Sequence, residues 1–518
     1  MKCLTALIFT ILVQTIALAG GAGRNDPEHN FEVFWKLFDK NYAHFETRNV
    51  DWKKQYAAFR PKVNGSTSQE QLLTIFNEMT SPLRDGHVVI SPTGDLPASA
   101  KYAPFFDEFP TKDLQAQFRK TTFDVLLQNG FGSIKKFRSQ HYDIGGYCRS
   151  ADLGYLQLNG FGGMRLDDFC TQLDEMIIEF ADIKGLIIDI RINGGGSPAF
   201  VEALAGRLTE VKRLVGYGRT RINSKKHEYS RWKPYFMNPV GEHKLIKPTI
   251  LLTSGSTISA ADHFALYLKE FPYVKQIGEN TNGIFSPMLG KRLPNGWQVA
   301  LSNGQTVSSS RKNYEAHGVP VDIGVIHTRT DLSQGTDKGL ITGLSYLESH
   351  SQELALKTTC FEQLAVNFYA DSLLPAKTYG DVTAYSIGLV EEDATLLTPF
   401  ADKCKTLGQM DESGLLQQRV AREQQADSSF HLNNTERRFY VGLRQPIRKK
   451  SVWPWRRGNG RNLTVAHHIK LGDNHYVRLH LSTGGWNGET VLIVIDNSGK
   501  IVEHCFLKYN YLNNQPFI

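Results

Sequence analysis

The sequence predicts an α/β core that follows a small helical domain and precedes a mixed α+β domain. Residues 185–190 (GLIIDI) and 249–253 (TILLT) are nearly continuous apolar runs, and each leads through a glycine- or serine-rich loop into a helical pattern. Such runs are typical of strands covered on both faces, and their alternation with helices indicates βαβ units. Residues before position 85 show the helical period instead.

The composition is that of a globular protein with several domains. The chain has 518 residues, of which 41% are hydrophobic and 21% are charged, and its length suggests about three domains. A net charge of +7 over this length is a mild basic bias and not the footprint of nucleic-acid binding. Six cysteines are too few for a disulfide-stapled miniprotein.

Residues 1–19 are predicted to be a signal peptide. Lys2 precedes the mostly apolar stretch 4–18, and residues 17–19 (ALA) form a small-x-small cleavage site. We expect cleavage before Gly20 and export to a periplasmic or extracellular location. An uncleaved anchor is the alternative, but the run is short for a membrane span and no later segment is suited to one.

Residues 20–90 are predicted to form the helical domain. Phe31, Phe34 and Phe38 lie on one apolar stripe, and residues 52–59 and 72–83 carry two more. A turn at Asp85 and Gly86 leads to a short β-like run. Residues 91–145 contain four prolines and are predicted to be a connecting region of loops and short elements.

Residues 146–350 are predicted to be the α/β core, and residues 356–518 a separate domain of unassigned role. The expected core elements are strands at 155–158, 185–190 and 249–253 and helices at 167–180, from 198, at 259–269 and at 338–347. In the last domain we expect a strand at 476–481 and a hairpin from 491–495 and 501–506. Cysteines in an exported protein can pair, and Cys148–Cys170 and Cys360–Cys404 are the pairs that we suggest, although sequence spacing alone does not fix the connectivity.

Ser259 is a candidate nucleophile because it stands where a buried strand gives way to a helix. Exposed N–H groups and the helix dipole favour negative charge on an oxygen there. A capping serine would occupy the same place, and Ser254, Ser256 and Thr257 are competing candidates.

The glycine loop at 193–196 is a second candidate. Consecutive glycines let backbone amides approach a ligand, so the loop could supply an oxyanion-hole N–H or hold a phosphate. It lacks the Lys-Ser/Thr of a P-loop, and a plain turn remains the alternative.

His87 and Glu315 are candidates for the base and its orienting acid. Histidine is the usual general base near neutral pH, and a carboxylate often orients it. Taken alone, a histidine at the start of a strand is more often structural, and Glu315 is an ordinary loop glutamate. A catalytic metal is not expected, since the sequence lacks HExxH and paired CxxC motifs.

Together these segments resemble the tail-specific (C-terminal processing) serine proteases, in particular their tricorn-core-like branch. The likeness covers about residues 28–345 and rests on RDGHVVI, GLIIDIRINGGG, ISAADHFA, GENTNG and EAHGVPVDI in that order. It implies a crotonase-like core without a cofactor. It also implies that Ser259 is the nucleophile and His87 the base, with Glu315 in its hydrogen-bond network and oxyanion-hole amides from Ala260 and from Gly194 or Gly195.

The sequence departs from the family pattern at three places. Ile284 stands where one branch has the lysine of a Ser/Lys dyad, which favours the histidine-dependent branch. Gly86 precedes His87 where tricorn-like sites have a serine. The stretch between Ile90 and Tyr155 is short for a PDZ domain, so recognition of free C-termini is not expected.

The resemblance implies an exported serine-type endopeptidase that hydrolyses peptides or unfolded protein segments through an acyl-enzyme. Its partners would be those substrates, with no nucleic acid. The alternative is a non-catalytic protein on the same fold that binds an apolar ligand or a peptide. The sequence leaves the oligomeric state open.

Overall fold

The structure is a computed structural model that describes most of the chain up to position 356 and parts of the remainder. The described residues are 24–96, 104–140, 142–222, 229–356, 358–359, 361–373, 382–384, 397, 400–401, 404–406, 439–440, 461–482, 487–510 and 515–516. The predicted signal peptide at 1–19 lies outside them.

The described residues divide into two compact units. The first holds those within 1–208, 215–235 and 240–354, and the second those within 209–214, 236–239 and 355–518. The helices are α1 (Pro27–Asn41), α2 (Trp52–Phe59), α3 (Gln69–Thr80), α4 (Pro104–Glu108), α5 (Lys112–Gln128), α6 (Leu166–Glu179), α7 (Pro198–Ala205), α8 (Ala260–Leu268), α9 (Arg329–Ser333), α10 (Lys338–Leu356) and α11 (Phe361–Phe368).

The strands occur throughout the described ranges and build several sheets. They are β1 (Val89–Ser91), β2 (Lys135–Lys136), β3 (Gly145–Arg149), β4 (Leu153–Leu158), β5 (Gly185–Asp189), β6 (Lys212–Thr220), β7 (Lys233–Met237), β8 (Thr249–Thr253), β9 (Val274–Gly278), β10 (Met288–Arg292), β11 (Gln298–Ser302), β12 (Gly304–Val307), β13 (Ile323–Gly324), β14 (Val382–Ala384), β15 (Phe439–Tyr440), β16 (Arg461–Leu471), β17 (Asn474–Ser482), β18 (Asn487–Asp496), β19 (Ile501–Asn510) and β20 (Gln515–Pro516).

The central sheet of the first unit has the order β13-β9-β8-β5-β4-β3-β2. The neighbours from β13 to β4 are parallel, whereas β3 and β2 add an antiparallel edge. Every residue of β5 and β8 is buried, as their apolar sequences predict. The carboxyl ends of these two neighbours lead into the glycine loop and the loop before α8, so the mixed α/β class is confirmed.

The N-terminal helices pack on a small antiparallel sheet of order β1-β11-β10. Phe34 of α1 stacks on Phe76 of α3 with ring centroids 3.8 Å apart, and Trp297 meets Phe76 edge-on. The ends are set by capping: Asp51 caps α2, and Ser68 forms a capping box with Gln71 at the start of α3. The apolar stripes therefore serve as core, and they place this layer beside β1.

The connecting region contains a longer helix than the sequence predicts. Helix α5 spans 17 residues where loops and short elements were expected. Its buried positions follow the helical period, but Thr121 and Thr122 occupy two of them and break the apolar stripe. The Thr122 hydroxyl donates to Asp337 Oδ2 at 2.7 Å, which explains a polar residue at a core position.

The second unit contains a sheet of order β14-β16-β17-β18-β19-β20, and it includes the predicted hairpin. Alternate residues of β18 enter two different clusters: Ile493 packs with Phe361 and other residues of α11, whereas Val494 packs with Leu397 and Phe400. Both faces of this strand are therefore covered.

The expected disulfide pairs are wrong where the structure describes them. Cys404 is bonded to Cys505, with the Cα atoms 5.7 Å apart, and Cys148 and Cys170 are free thiols. Cys360 lies outside the described residues. Of the helices in the described ranges, none combines the length and apolar character that a bilayer span requires.

Candidate active site

Ser259 immediately precedes α8 and has an unusual backbone conformation. Its φ of 63° and ψ of −117° lie in a region that L-residues with a side chain seldom adopt. Asp262, in the first turn of α8, accepts the Ser259 N–H at 2.7 Å. This sharp turn places the serine at the junction of the loop and the helix, as the sequence predicts.

The competing hydroxyl residues are buried in the turn before Ser259. The Ser254 hydroxyl donates to Arg191 O at 2.5 Å, and the Thr257 hydroxyl donates to Ile190 O at 2.8 Å. Both therefore tie the loop after β8 to the loop after β5. Ser256 is 3% exposed.

Asp262 joins the start of α8 to the loop before β10. Its carboxylate accepts the N–H groups of Gly283 at 2.8 Å and Ile284 at 3.1 Å in addition to that of Ser259. Burial raises the pKa of Asp262 to about 7, although the donors around it act to lower it. The loop at 283–286 is thereby attached to the residue that carries the candidate nucleophile.

The glycine loop lies against Ser259. A methyl group added at Gly195 would fall 2.7 Å from Ser259 Cβ and 3.0 Å from Ala260 N, and the φ of Gly195 is +90°. The Gly195 N–H itself donates to Asn193 Oδ1 at 2.9 Å. The Gly195 N–H is therefore already engaged, and Gly194 is the other predicted glycine donor. Its partner would be Ala260, at the first position of α8, where helix N–H groups lack intrahelical acceptors.

A buried ion network supports the glycine loop. Arg191 is completely buried and forms paired hydrogen bonds with Asp189 and with Asp337 at the start of α10. Asn193 Nδ2 donates to Leu158 O at 3.0 Å, and Ile258 N donates to Asn193 O at 3.0 Å. The loop is thus fixed both to the central sheet and to the Ser259 turn.

His87 is buried, and its two ring nitrogens differ in their surroundings. Its Nδ1 lies 2.7 Å from Ser286 O, whereas its Nε2 has no partner within the described part of the chain. Because a carbonyl can only accept, Nδ1 carries the proton and Nε2 has the free lone pair. Burial lowers the pKa of His87, although Asp85 and Glu315 act to raise it.

Glu315 is close to this group but does not hydrogen-bond to His87. Its Oε2 accepts the Phe285 N–H at 3.0 Å, and its Oε1 accepts a hydrogen bond from Arg48 Nη2 at 2.9 Å. Phe285 precedes Ser286, whose carbonyl contacts His87. Glu315 therefore reaches the histidine through the backbone of the 283–286 loop.

Sequence reasoning missed several residues around His87. Asp85 accepts the His87 N–H at 2.9 Å and the Tyr42 hydroxyl at 2.9 Å. Ser286 contacts His87 through its backbone carbonyl, and no pattern of side chains in a sequence indicates such a contact. Arg48 stands on the N-terminal layer, far from His87 in sequence, so only the fold brings it to the site.

A second histidine links α8 to the same loop. His263 Nε2 lies 2.7 Å from Phe285 O, and its Nδ1 lies 3.3 Å from the Tyr267 hydroxyl. Both ring nitrogens are thus engaged, which distinguishes His263 from His87. No group of three or more His, Cys, Asp or Glu side chains suited to a metal ion occurs in the ranges that the structure describes.

A serine at a strained turn and a buried histidine are parts of a serine-type peptidase site, although among the described residues no hydrogen bond joins Ser259 to His87. Comparisons with known proteins find similarity to members of this class over parts of the chain. Residues 152–325 match the profile described as Peptidase family S41, and residues 24–81 match that of the Tricorn protease C1 domain. The expected resemblance to the tail-specific proteases is confirmed, and the chain is related to Peptidase family S41 through residues 152–325.

Individual relatives support the same relationship. Carboxy-terminal processing protease CtpA of Bacillus subtilis (strain 168) is 28% identical over 151 residues, which are 29% of this chain and 30% of that protein. Carboxy-terminal processing protease CtpB of the same organism is 24% identical over 219 residues, 42% of this chain and 40% of that protein. The chain therefore matches less than half the length of these curated relatives.

A solved structure extends the similarity at the level of the fold. A protein from Parabacteroides merdae ATCC 43184, which has been proposed to be a peptidase, is 26% identical with a TM-score of 0.54. The match covers 63% of this chain and 98% of that one. It therefore extends well beyond the segment shared with the two processing proteases.

Proposed function

We propose that the protein is an endopeptidase that cleaves peptides or unfolded protein segments through an acyl-enzyme on Ser259. The observation that carries the proposal is the buried His87 ring, whose Nε2 has no hydrogen-bond partner among the described residues while Ser286 O accepts a hydrogen bond from Nδ1. A neutral histidine in this tautomer is ready to take a proton from a hydroxyl. The match to Peptidase family S41 supports the same assignment.

The proposed reaction begins with attack of Ser259 Oγ on the substrate carbonyl carbon. His87 Nε2 takes the hydroxyl proton and then gives it to the leaving amine, so the peptide C–N bond breaks and an ester forms on Ser259. Water then attacks the ester with His87 again acting as base. This releases the acid and restores the serine.

The N–H groups of Gly194 and Ala260 would stabilise the negative oxygen of each tetrahedral intermediate. They belong to the loop after β5 and to the start of α8. A hydrogen bond of 3.0 Å from the Ile258 N–H to Asn193 O joins the segments that carry them. Loss of one such donor costs roughly 3–4 kcal/mol of transition-state stabilisation. Glu315 would act through the Phe285 N–H and the loop at 283–286.

The wider setting is part of the same proposal. We infer that residues 146–350 are a crotonase-like core, that residues 20–90 and 91–145 are its helical and connecting parts, and that residues 356–518 are a separate domain. Export to a periplasmic or extracellular location would follow from the predicted signal peptide at 1–19.

The test uses the purified protein with a mixed peptide library and mass spectrometry. Ser259→Ala should lower cleavage by at least ~10⁴-fold, because the nucleophile is lost. Ser256→Ala is the matched control, since it removes a nearby hydroxyl and should keep the wild-type rate. Full activity in Ser259→Ala would overturn the assignment. A wild-type protein that binds peptides without cleaving them would favour the non-catalytic alternative.

A further inference from the structure

One guanidinium group touches both segments that hold His87. The Arg48 side chain is 5% exposed, and its Nη1 donates to the carbonyls of Leu83 at 3.0 Å and Arg84 at 2.8 Å. These residues directly precede Asp85, whose carboxylate holds the His87 N–H. Arg48 therefore fixes the chain that carries the histidine.

The guanidinium group of Arg48 is also linked to the carbonyl that accepts a hydrogen bond from the imidazole. Arg48 Nη2 donates to Glu315 Oε1 at 2.9 Å, and Glu315 Oε2 accepts the Phe285 N–H at 3.0 Å. The next residue is Ser286, whose carbonyl lies 2.7 Å from His87 Nδ1. A continuous path of contacts thus runs from Arg48 through Glu315 to the atom that sets the tautomer.

Arg48 also balances the charge around the imidazole. Arg48 contacts two buried carboxylates: its Nε lies 3.8 Å from Asp85 Oδ2, and its Nη2 lies 2.9 Å from Glu315 Oε1. One cation between two anions leaves a single net negative charge near His87. Loss of the cation would leave two, and two buried anions favour a protonated histidine.

Among the described residues, the other titratable side chains beside this cluster include one tyrosine and two histidines, and none of these carries a permanent charge. The Tyr42 hydroxyl donates to Asp85, His44 Nε2 lies 2.7 Å from Gly304 O and 3.8 Å from Glu315 Oε2, and His263 contacts Phe285 O. None of them can replace a permanent cation. The balance therefore depends on Arg48.

We propose that Arg48, from the N-terminal helical layer, is a positioning residue for the active site: it holds His87 in place and keeps its imidazole neutral through Asp85 and Glu315. The inference rests on the proposed role of His87 as the general base. It gives the N-terminal layer a part in the chemistry in addition to its part in the fold. No atom of Arg48 needs to touch the substrate.

The test compares four substitutions by the NMR titration of the His87 ring and by the pH profile of peptide cleavage. Arg48→Met should raise the pKa of His87 by about one unit, because two net negative charges beside the imidazole then replace one. Its kcat should fall while KM changes little. Arg48→Met combined with Glu315→Gln should return the titration toward that of the wild type, since a single net negative charge is restored.

The remaining two substitutions separate charge from geometry. Arg48→Lys keeps a cation between the carboxylates, so it should fold and keep the wild-type titration, but it should lose kcat because an ammonium cannot replace the planar fork. Arg60→Met is the matched control, since Arg60 of the same layer pairs with Glu32 away from the site. It should change neither readout.

The outcomes distinguish the two proposals. The inference is overturned if folded Arg48→Met keeps the wild-type titration of His87, or if Arg48→Lys keeps the wild-type kcat. The titration needs no substrate. A wild-type protein that cleaves no peptide would therefore overturn the peptidase proposal, while the His87 resonance would still decide the role of Arg48 in the cluster.

Discussion

The backbone of Ser259 stores strain at the residue proposed to react. Its φ of 63° and ψ of −117° suit glycine far better than any residue with a Cβ atom. Gly195 packs against this turn, where an added methyl group would meet Ser259 Cβ at 2.7 Å. The close approach explains why the loop needs glycine at that position.

Ser259→Gly should therefore be more stable than Ser259→Ala, although both lack the nucleophile. Relief of an unfavourable backbone conformation is worth roughly 1–3 kcal/mol. Thermal unfolding of the two variants measures the difference, and neither should cleave peptides. Equal melting temperatures would show that the turn is not strained.

The pH dependence of cleavage should reflect the burial of His87. Its pKa lies below the ordinary value of 6.5, because the interior disfavours the imidazolium ion. The acid limb of the kcat/KM profile should accordingly have its midpoint below pH 6.5. The same burial makes the stability of the folded state depend on pH. The folded state is favoured above pH 6.5, and this advantage is lost as the pH falls, because the buried ring must then take up a proton. A limb above that value would contradict the assigned environment.

At the scale of elements, the start of α8 is attached to a neighbouring loop by one carboxyl group. Asp262 accepts N–H groups from Ser259, Gly283 and Ile284, and burial raises its pKa to about 7 from 3.8. A raised folded-state pKa favours the native state most below pH 3.8, and this advantage is lost as the pH rises to about 7. Urea unfolding should give the free energy of unfolding of the wild type and of Asp262→Asn at pH 5 and at pH 8. Between these two pH values the wild type should lose more of that free energy than Asp262→Asn does. A difference that is independent of pH would contradict this.

The N-terminal layer depends on the caps of its helices. Ser68 accepts the Gln71 N–H at 3.2 Å, and Gln71 Oε1 accepts the Ser68 N–H at 2.9 Å. Ser68→Ala should lower the free energy of unfolding by about 1 kcal/mol. Ser66→Ala, just before the helix, is the control, because its hydroxyl bonds only locally to Asn64. Equal effects in both variants would argue against the capping box.

Contiguous patterns allowed the sequence to predict the elements that carry the site. Strand β8 has the predicted bounds, and α8 begins one residue after the predicted start, because an apolar strand and a helical stripe are each visible within a few residues. Helix α5 was missed since threonines interrupt its buried stripe. The contact between His87 and Ser286 could not be predicted, because it joins a side chain to a carbonyl that is distant in sequence.

At the scale of the whole molecule, the disulfide belongs to the second unit. Cys404 and Cys505 are separated by 101 positions, and neither local spacing nor the number of cysteines indicates the pair. Opening so long a loop should cost that unit about 4–5 kcal/mol on the chain-entropy account. Non-reducing digestion should recover the linked peptides, while Cys148 and Cys170 should be alkylated after unfolding without reductant. Recovery of a Cys148–Cys170 peptide would contradict the structure.

The chain enters the second unit more than once, and this limits what a truncated protein can show about either unit. Residues 209–214 and 236–239 lie in the second unit, although they occur in the middle of the sequence. Val211, for example, belongs to the same apolar cluster as Phe361 and Ile493. A chain that ends at position 354 would therefore lack most of the second unit but would keep residues 209–214 and 236–239 of it. These residues would then be without the rest of their unit. The end of the truncated sequence would not coincide with the boundary between the units, so inactivity of such a truncated protein would not by itself assign a regulatory role to the missing residues.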